Sequence, residues 1–439
     1  MARQRVLYCL PAMRIRDPIH GTLPVSDAEK AVIDSRFFQR LRTVRQLGFG
    51  DLAFPGGTHT RHAHSLGAMH VAGRLFDAVA SRSQLPEGVK DRFRAAVRAA
   101  VLCHDIGHMP LSHSSEQIAP PRSALRLPEW LLGGGAAEGR ASHEDYGAKI
   151  LVDSSLTPLI RAHYGALGIT PEDLAFLVTG AQPPGGSHFV HEGVDWAPLL
   201  RALVSGELDA DRMDYLLRDS FYTGVQYGRY DLDWIASNLN PAFRDAKAWL
   251  ALSRPAAFAF EDFLLSRYHM FVSVYLHHTS VNFDHMLHRY YEEARGEFEI
   301  PSDPEAFLDC DDVALHSALR KSSNRWAKRI VARQGFKLVA SFTERDADYD
   351  LGALEAALAQ AGLEYFSVTS RTTLSRYADK GGPPLFILDV STGRLTEVSQ
   401  YTPLYQRYAG SLELRRLFVR PDQADAARAR LSSLLPHAP

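Results

Sequence analysis

Apolar residues recur at helical spacing through most of the first 330 positions, and this pattern gives the first outline of the molecule. From Ser35 onward, Phe37, Leu41, Val44 and Leu47 predict a helix that Gly48 stops. A turn-rich loop, Gly50 to Thr58 with its FPGGT, follows. HAHSLGAMHVAGRLFDAVASR then sets Leu66, Met69, Ala72, Phe76 and Val79 on one face, and RFRAAVRAAVLCHD does the same with Phe93, Val97, Ala100 and His104. The stretch 117–142 is rich in Pro and Gly around an apolar WLL, and is expected to be a long excursion able to act as a lid. Helical periodicity returns in HEDYGAKILV, in LLRALVSGELDADRMDYLLRDSF and from Phe258 to about Arg295. After residue 330 short runs of strand character appear, FKLVASF, EYFSVTS, PLFILDV, RLTEV and RRLFV, with helical ALEAALAQAGL and DQADAARARLSSLL among them. STGR suits a hairpin turn. The expected fold is therefore mostly α: a helical domain over 1–330 and a small α+β domain over 331–439.

Composition narrows the class. Of 439 residues 46% are apolar and 23% charged, which suits a sizeable core rather than disorder. A net charge of -2 provides no general basic field for a nucleic-acid backbone, so only local basic pockets remain as anion sites. The three cysteines, Cys9, Cys103 and Cys310, are scattered, against a disulfide framework or a thiolate metal site and in favour of a reducing cytoplasm. No signal peptide or membrane span is read from the chain.

The run LCHDIGHMPLSH carries the most chemistry. Adjacent His104 and Asp105 offer a neutral imidazole and a carboxylate at a helix end, and His108 shares a face with His104 if the helix continues. His64, at the start of one amphipathic helix, and Asp211, on another, supply two further donors. Two imidazoles and two carboxylates form a mixed nitrogen and oxygen shell suited to Fe, Mn, Zn or Ni, with Mg entering alongside substrate. No second cluster of that kind is visible, so one divalent ion per chain is expected.

IRDPIHGTLPVSDAEKAVIDSRFFQRLRTVRQLG, FPGGTHTRHAHSLG, LCHDIGHMPLSHSSE, SHED, ELDADRMDYLLRDS and SRYHMFVSVYLHH, in that order, resemble the HD-domain phosphohydrolases. Within them the likeness is to the dNTP triphosphohydrolase branch, which includes bacterial enzymes and a mammalian one with a sterile-alpha-motif domain. The resemblance covers roughly residues 15–295; no sterile-alpha-motif segment is expected before Ile15. It implies an HD-domain helical fold with His64, His104, Asp105 and Asp211 on the metal. It places the catalytic group on His108, Glu116 and His143, with His113 as the acid that protonates the leaving oxygen. Glu116 departs from the more common aspartate.

Arg61, Arg212 and Arg267 fall at phosphate-contacting positions, where a planar guanidinium fork suits phosphate oxygens. Asp211, Tyr215 and Asp219 recur every four residues along one helical face, as do Arg267, Phe271 and Tyr275. The resemblance implies that Gln46 and Asp219 hold the sugar 3'-hydroxyl while Leu47 and Tyr275 close off the 2' edge. Leu276 cannot read a base edge, so weak base selectivity is expected. His59, His62, His70, His277 and His278 need not be functional.

The activity so implied is hydrolysis of a dNTP to deoxynucleoside and triphosphate by a homo-oligomer, with a nucleotide effector as a further partner. A phosphohydrolase of the same fold acting on another nucleotide or on single-stranded nucleic acid, and a nucleotide-binding regulatory protein, are the alternatives.

Overall fold

A hairpin that the helical periodicity does not anticipate opens the described chain: β1 (Met13–Asp17) pairs antiparallel with β2 (Gly21–Val25). The computed structural model describes residues 13–132, 139–343, 346, 349–373, 383–408, 411–432 and 434–435. The hairpin turn is held by Asp17, whose Oδ1 accepts from the amides of Ile19 and His20 at 2.9 Å, and by Gly21 at a φ of 75°. Ser26 then caps α1 (Asp27–Ile33) in a reciprocal box with Glu29.

The helix expected from Ser35 to Leu47 is shorter than its apolar spacing suggests. α2 (Arg36–Arg40) tightens into a 3-10 turn at Leu41–Thr43, after which Val44 is extended and Arg45 bridges to Thr60. Non-helical partners take the backbone amides there: Arg45 N donates to Asp312 Oδ2 at 3.0 Å and Gln46 N to the His59 carbonyl at 3.0 Å. Tertiary hydrogen bonds thus replace the helical ladder, although Phe37, Leu41 and Val44 are still buried.

α3 (Arg61–Ala80) is the central helix, buried on nearly every side, and packs against α4 (Glu87–Cys103). Around this pair lie α5 (Glu129–Leu132), α6 (His143–Val152), α7 (Leu156–Tyr164) and α8 (Pro171–Thr179). Of the excursion expected over 117–142, residues 133–138 lie outside the described residues. Its described flanks are tied to the body. Arg122 bonds Asp145 at 2.8 and 3.0 Å, Arg140 donates to the Ala119 carbonyl at 2.8 Å, and Ala119, Leu125 and Ala141 are buried.

Two short strands, β3 (Val190–His191) and β4 (Val194–Asp195), precede α9 (Ala197–Ser205) and α10 (Ala210–Thr223). The single helix expected across LLRALVSGELDADRMDYLLRDSF divides because Asp209 turns back to cap α10, accepting from Arg212 N at 2.8 Å. α11 (Leu232–Ser237), the hairpin β5 (Leu239–Arg244) and β6 (Lys247–Ser253), and α12 (Ala257–Met270) come next. The long helix expected to about Arg295 is also broken. A π-helical turn at Phe271–Tyr275 separates α12 from α13 (His278–Glu293), and such turns often mark functional sites. α14 (Pro304–Phe307), α15 (Asp312–Lys321) and α16 (Arg325–Val331) complete the helical body.

The remaining chain contains β7 (Lys337–Thr343), α17 (Leu351–Gln360), β8 (Tyr365–Thr373), β9 (Phe386–Asp389), β10 (Arg394–Glu397), α18 (Val398–Tyr401), α19 (Pro403–Tyr408), β11 (Ser411–Val419) and α20 (Ala424–Leu431). β11 lies between β7 and β8 in an antiparallel sheet, and α17 and α20 share its apolar core through Leu354, Leu358, Leu417 and Ala427. The molecule is thus a mainly α-helical body with a smaller α+β appendage. Part of the tail serves the body instead: β9 runs parallel to β6, and Leu385, Ile387, Val398 and Tyr405 join the main core. STGR does form the turn of the β9–β10 hairpin, with Gly393 at a φ of 72°. Among the described residues no helix is long and apolar enough to cross a membrane.

One buried ion pair fixes the hairpin end of the body to α4. Arg98 donates to Glu29 at 2.5 and 2.9 Å and to the Pro24 carbonyl at 3.0 Å. Removing one partner leaves an unpaired buried charge. Glu29→Ala should therefore lower stability by about 3–5 kcal/mol in urea unfolding, with the Glu29→Leu/Arg98→Met double variant recovering most of that loss.

Candidate metal centre and adjoining cavity

Three helices bring His64, His104 and Asp105 into one group of donors and set Asp211 beside its two imidazoles. α3 supplies His64 in its first turn, α4 ends at Cys103 so that His104 and Asp105 leave its C-terminus, and Asp211 stands in the first turn of α10. His64 Nε2 lies 3.0 Å from Asp211 Oδ1, 3.4 Å from His104 Nε2 and 3.7 Å from Asp105 Oδ2. His104 Nε2 is 3.3 Å from Asp105 Oδ1 and 3.4 Å from Asp211 Oδ1. Donors about 2.0–2.2 Å from a common ion must stand roughly 3.0–3.5 Å apart, so these spacings suit a first-row divalent metal.

The far side of each ring shows which atom faces that group. His64 Nδ1 lies 2.8 Å from Asp214 Oδ2, and His104 Nδ1 lies 2.6 Å from the Val101 carbonyl. Both acceptors require a proton on Nδ1, which leaves each Nε2 lone pair directed into the cluster. Burial opposes charge on His64, but hydrogen bonds to the Asp211 and Asp214 carboxylates outweigh it and push the imidazole up to about 10. The same field favours a cation.

Asp214 anchors this arrangement and was not among the residues expected from the sequence. His20 lies 2.7 Å from its Oδ1, and Arg218, itself bonded to Asp17 at 2.9 Å, grips both oxygens at 2.8 and 2.9 Å. The signal was present in the spacing: Asp214 follows Asp211 by three residues and precedes Arg218 by four on one helix. Gly67 makes the approach of α3 to α10 feasible, since a Cβ there would lie 2.1 Å from both Asp214 Oδ1 and Arg218 Nη2.

His108 does not continue α4. It follows a turn, and its Nε2 lies 3.2 Å from Asp105 Oδ1. Its ring stacks on that of His143, with centroids 4.0 Å apart and an interplanar angle of 11°. Gly107 permits this contact, because a Cβ would come within 2.1 Å of the His143 carbonyl. Glu116 turns to His143 and His113 rather than to His108: its Oε1 lies 2.6 Å from His143 Nδ1 and 3.1 Å from His113 Nδ1. Burial opposes its charge, yet these two rings hold the carboxyl far below the usual range. The described residues hold two candidate groups of donors where the sequence suggested one. His108, His113, Glu116 and His143 offer ligand atoms all within 4.8 Å of one another, a second set able to hold an ion.

Both groups border a cavity of about 360 Å³. Gln46, Leu47, Arg61, Tyr215, Asp219 and Tyr275 also line it. Arg61 reaches Asp105 Oδ2 at 2.7 Å and Ser112 Oγ at 2.7 Å. Tyr275 donates its hydroxyl to Asp219 Oδ2 at 2.9 Å, and His59 lies 2.7 Å from Asp219 Oδ1, so His59 positions a cavity residue. Gln46 Oε1 is buried without a hydrogen-bond partner. Arg212 and Arg267 are not in this wall. Both are buried beside Tyr215; Arg212 Nη1 is 3.4 Å from Glu207, while Arg267 Nε and Nη1 have no partner. Arg267 lies 5.6 Å from the Phe271 ring centroid, which meets the Tyr275 ring edge-on at 5.0 Å, so the four-residue series remains in contact across the π turn.

Loss of the carboxylate behind a ligand imidazole should weaken metal binding without unfolding the helices. Asp214→Asn is expected to lower affinity for a divalent metal by about 10- to 100-fold. Competition against a chelating dye, with circular dichroism as a fold control, reads this directly.

Residues 61–219 match the HD domain family, and residues 242–360 match its HD associated region. The chain is 29% identical over 341 residues to the uncharacterized protein MJ1154 of Methanocaldococcus jannaschii, covering 78% of this chain and 61% of that one. It is 34% identical over 216 residues to the deoxynucleoside triphosphate triphosphohydrolase SAMHD1 homolog of Dictyostelium discoideum, covering 48% of this chain and 36% of that one. The matches therefore span less than two thirds of these curated relatives. A crystal structure of a hypothetical protein from Aquifex aeolicus superposes with a TM-score of 0.73 at 26% identity, covering 95% of this chain and 99% of that one. The matched HD segment contains His64, His104 and Asp105, whose ligand atoms lie within 4.8 Å of one another, together with Asp211 beside both imidazoles, so this chain has an HD-domain phosphohydrolase fold with a candidate metal-binding cluster.

Proposed function

We propose that the protein is a metal-dependent phosphohydrolase that converts a dNTP and water to deoxynucleoside and triphosphate. The observation that carries this reading is the junction, in one cavity, of the donor cluster with Gln46, Leu47, Asp219 and Tyr275. Gln46 Oε1 is a buried acceptor awaiting a donor, as a sugar 3'-hydroxyl would be, and Asp219 stands in the same wall. The Tyr275 hydroxyl is held on Asp219, which turns its ring into a fixed wall. With Leu47, that wall offers a ribose 2'-hydroxyl no replacement for its bonds to water, a loss of about 1–3 kcal/mol or roughly tenfold to a hundredfold. Relatives at 33–34% identity carry the name deoxynucleoside triphosphate triphosphohydrolase, which agrees with this substrate class.

His64, His104, Asp105 and Asp211 would hold the divalent ion, which acidifies water and offsets phosphate charge when bound. Arg61 lies in the cavity wall and can pair with phosphate oxygens while it orients Asp105. Arg267, with two unpaired nitrogens behind Tyr215, adds positive potential from outside the wall. Glu116 accepts from Nδ1 of both His143 and His113, leaving Nε2 on each ring to move a proton. His113 is the more accessible, its side chain 65% exposed, and so suits protonation of the departing 5'-oxygen.

A screen of metal-loaded protein against dNTPs, NTPs, cyclic dinucleotides and short single strands tests the assignment. Chromatography should show deoxynucleoside and triphosphate as first products, with dGTP turned over about 10- to 100-fold more efficiently than GTP. Initial formation of dNDP and orthophosphate, or turnover confined to cyclic dinucleotides or single strands, would contradict it.

A further inference from the structure

Part of the cavity wall carries polar groups that the reaction above does not use. Ser280 and Asp284 lie one turn apart on α13, and both line the cavity. The Ser280 hydroxyl is buried without a hydrogen-bond partner. Asp284 Oδ1 accepts from Ser114 Oγ at 2.5 Å; its other oxygen has no partner among the described residues, and no cation pairs with it. Burial pushes this carboxyl up to about 6, only partly opposed by the Ser114 hydroxyl. At neutral pH it is still mostly an anion.

Such a group selects what can lie against it. Phosphates are excluded by like charge and belong with Arg61 and the metal ligands. The sugar is accounted for by Gln46, Leu47, Asp219 and Tyr275. The chain leads from these residues to the acidic wall, since Gly48 follows Leu47 directly and a Cβ on it would lie 3.4 Å from Ser114 Oγ. What remains of a nucleotide is its base. An ionised carboxylate accepts only N–H or O–H, whereas a serine hydroxyl can also donate to a carbonyl.

We propose that Asp284 and Ser280 read the base of the nucleotide and favour guanine, an inference that rests on the dNTP reading of the same cavity. Guanine presents N1–H and a 2-amino group side by side for the carboxylate, and next to them a carbonyl, O6, for the serine hydroxyl. Adenine and cytosine offer one amino group each. Thymine flanks its single N–H with two carbonyl oxygens, which a carboxylate repels. Leu276 is absent from the cavity wall, so the base contact comes from α13 rather than from the residue after Tyr275.

Titration of dGTP, dITP and dTTP onto manganese-loaded protein, with hydrolysis measured in parallel, tests this. Wild type should bind dGTP about 10- to 100-fold more tightly than dTTP, and about tenfold more tightly than dITP, which lacks only the 2-amino group. Asp284→Asn should flatten both ratios, and Ser280→Ala should weaken dGTP and dITP alike. Equal affinity of wild type for all three nucleotides overturns base reading and leaves the dNTPase assignment standing. Selective binding of dGTP without turnover preserves base reading and overturns the assignment. No binding of any of the three overturns both.

Discussion

Three carboxylates surround one imidazole: buried Asp105 and Asp214 and partly exposed Asp211 all lie within 3.7 Å of a ring nitrogen of His64. So much negative charge away from water is unfavourable unless cations are built in beside it. Arg61 compensates Asp105, and Arg218 compensates Asp214, leaving Asp211 and the inward face of the cluster for a metal. The helical body is arranged to deliver these groups. α3 carries His64 and Arg61, α10 carries Asp211, Asp214 and Arg218, and the N-terminal hairpin lends Asp17 and His20 to the same network. A short hairpin far from the cavity in sequence thereby helps to hold the donor cluster.

Close backbone approach is the second requirement. Gly67 lets α3 meet the Asp214–Arg218 pair, and Gly107 lets the turn after Asp105 rest on the start of α6. The second contact places the stacked pair of His108 and His143 beside the first donor cluster. Glu116 joins His143 to His113 and so extends the line of imidazoles toward solvent. The result is a graded site: enclosed carboxylates and imidazoles at one end and an accessible histidine at the other. The two groups of donors thus have separate surroundings although His104, Asp105, His108, His113 and Glu116 lie within one short run of chain.

Much of this was legible in the sequence because the donors sit at helix termini whose apolar periodicity is strong. The α3 and α4 segments, the appendage strands and the positions of His64, His104, Asp105 and Asp211 could all be read from spacing or motif. Breaks in the helices could not. Val44 has helical spacing from Phe37 and Leu41, yet Asp312 and the His59 carbonyl, distant in sequence or facing the other way, capture the next amides. The π turn at Phe271–Tyr275 is likewise invisible to a 3.6-residue pattern. Strand β9 looks like part of the C-terminal unit until its parallel register with β6 is known. The roles of Asp214, His20 and His59 depend on contacts across the fold. Glu116 could be linked by motif to His108 or His143, but only the coordinates place its carboxylate on His143 and His113.

The proposed chemistry depends on a divalent ion that His64, His104, Asp105 and Asp211 would hold. Metal analysis of wild type and Asp211→Ala after equilibrium dialysis against the same manganese concentration tests it most directly. The variant should lose the equivalent bound at this site while keeping its helical spectrum. Full retention of that equivalent by folded Asp211→Ala would contradict it.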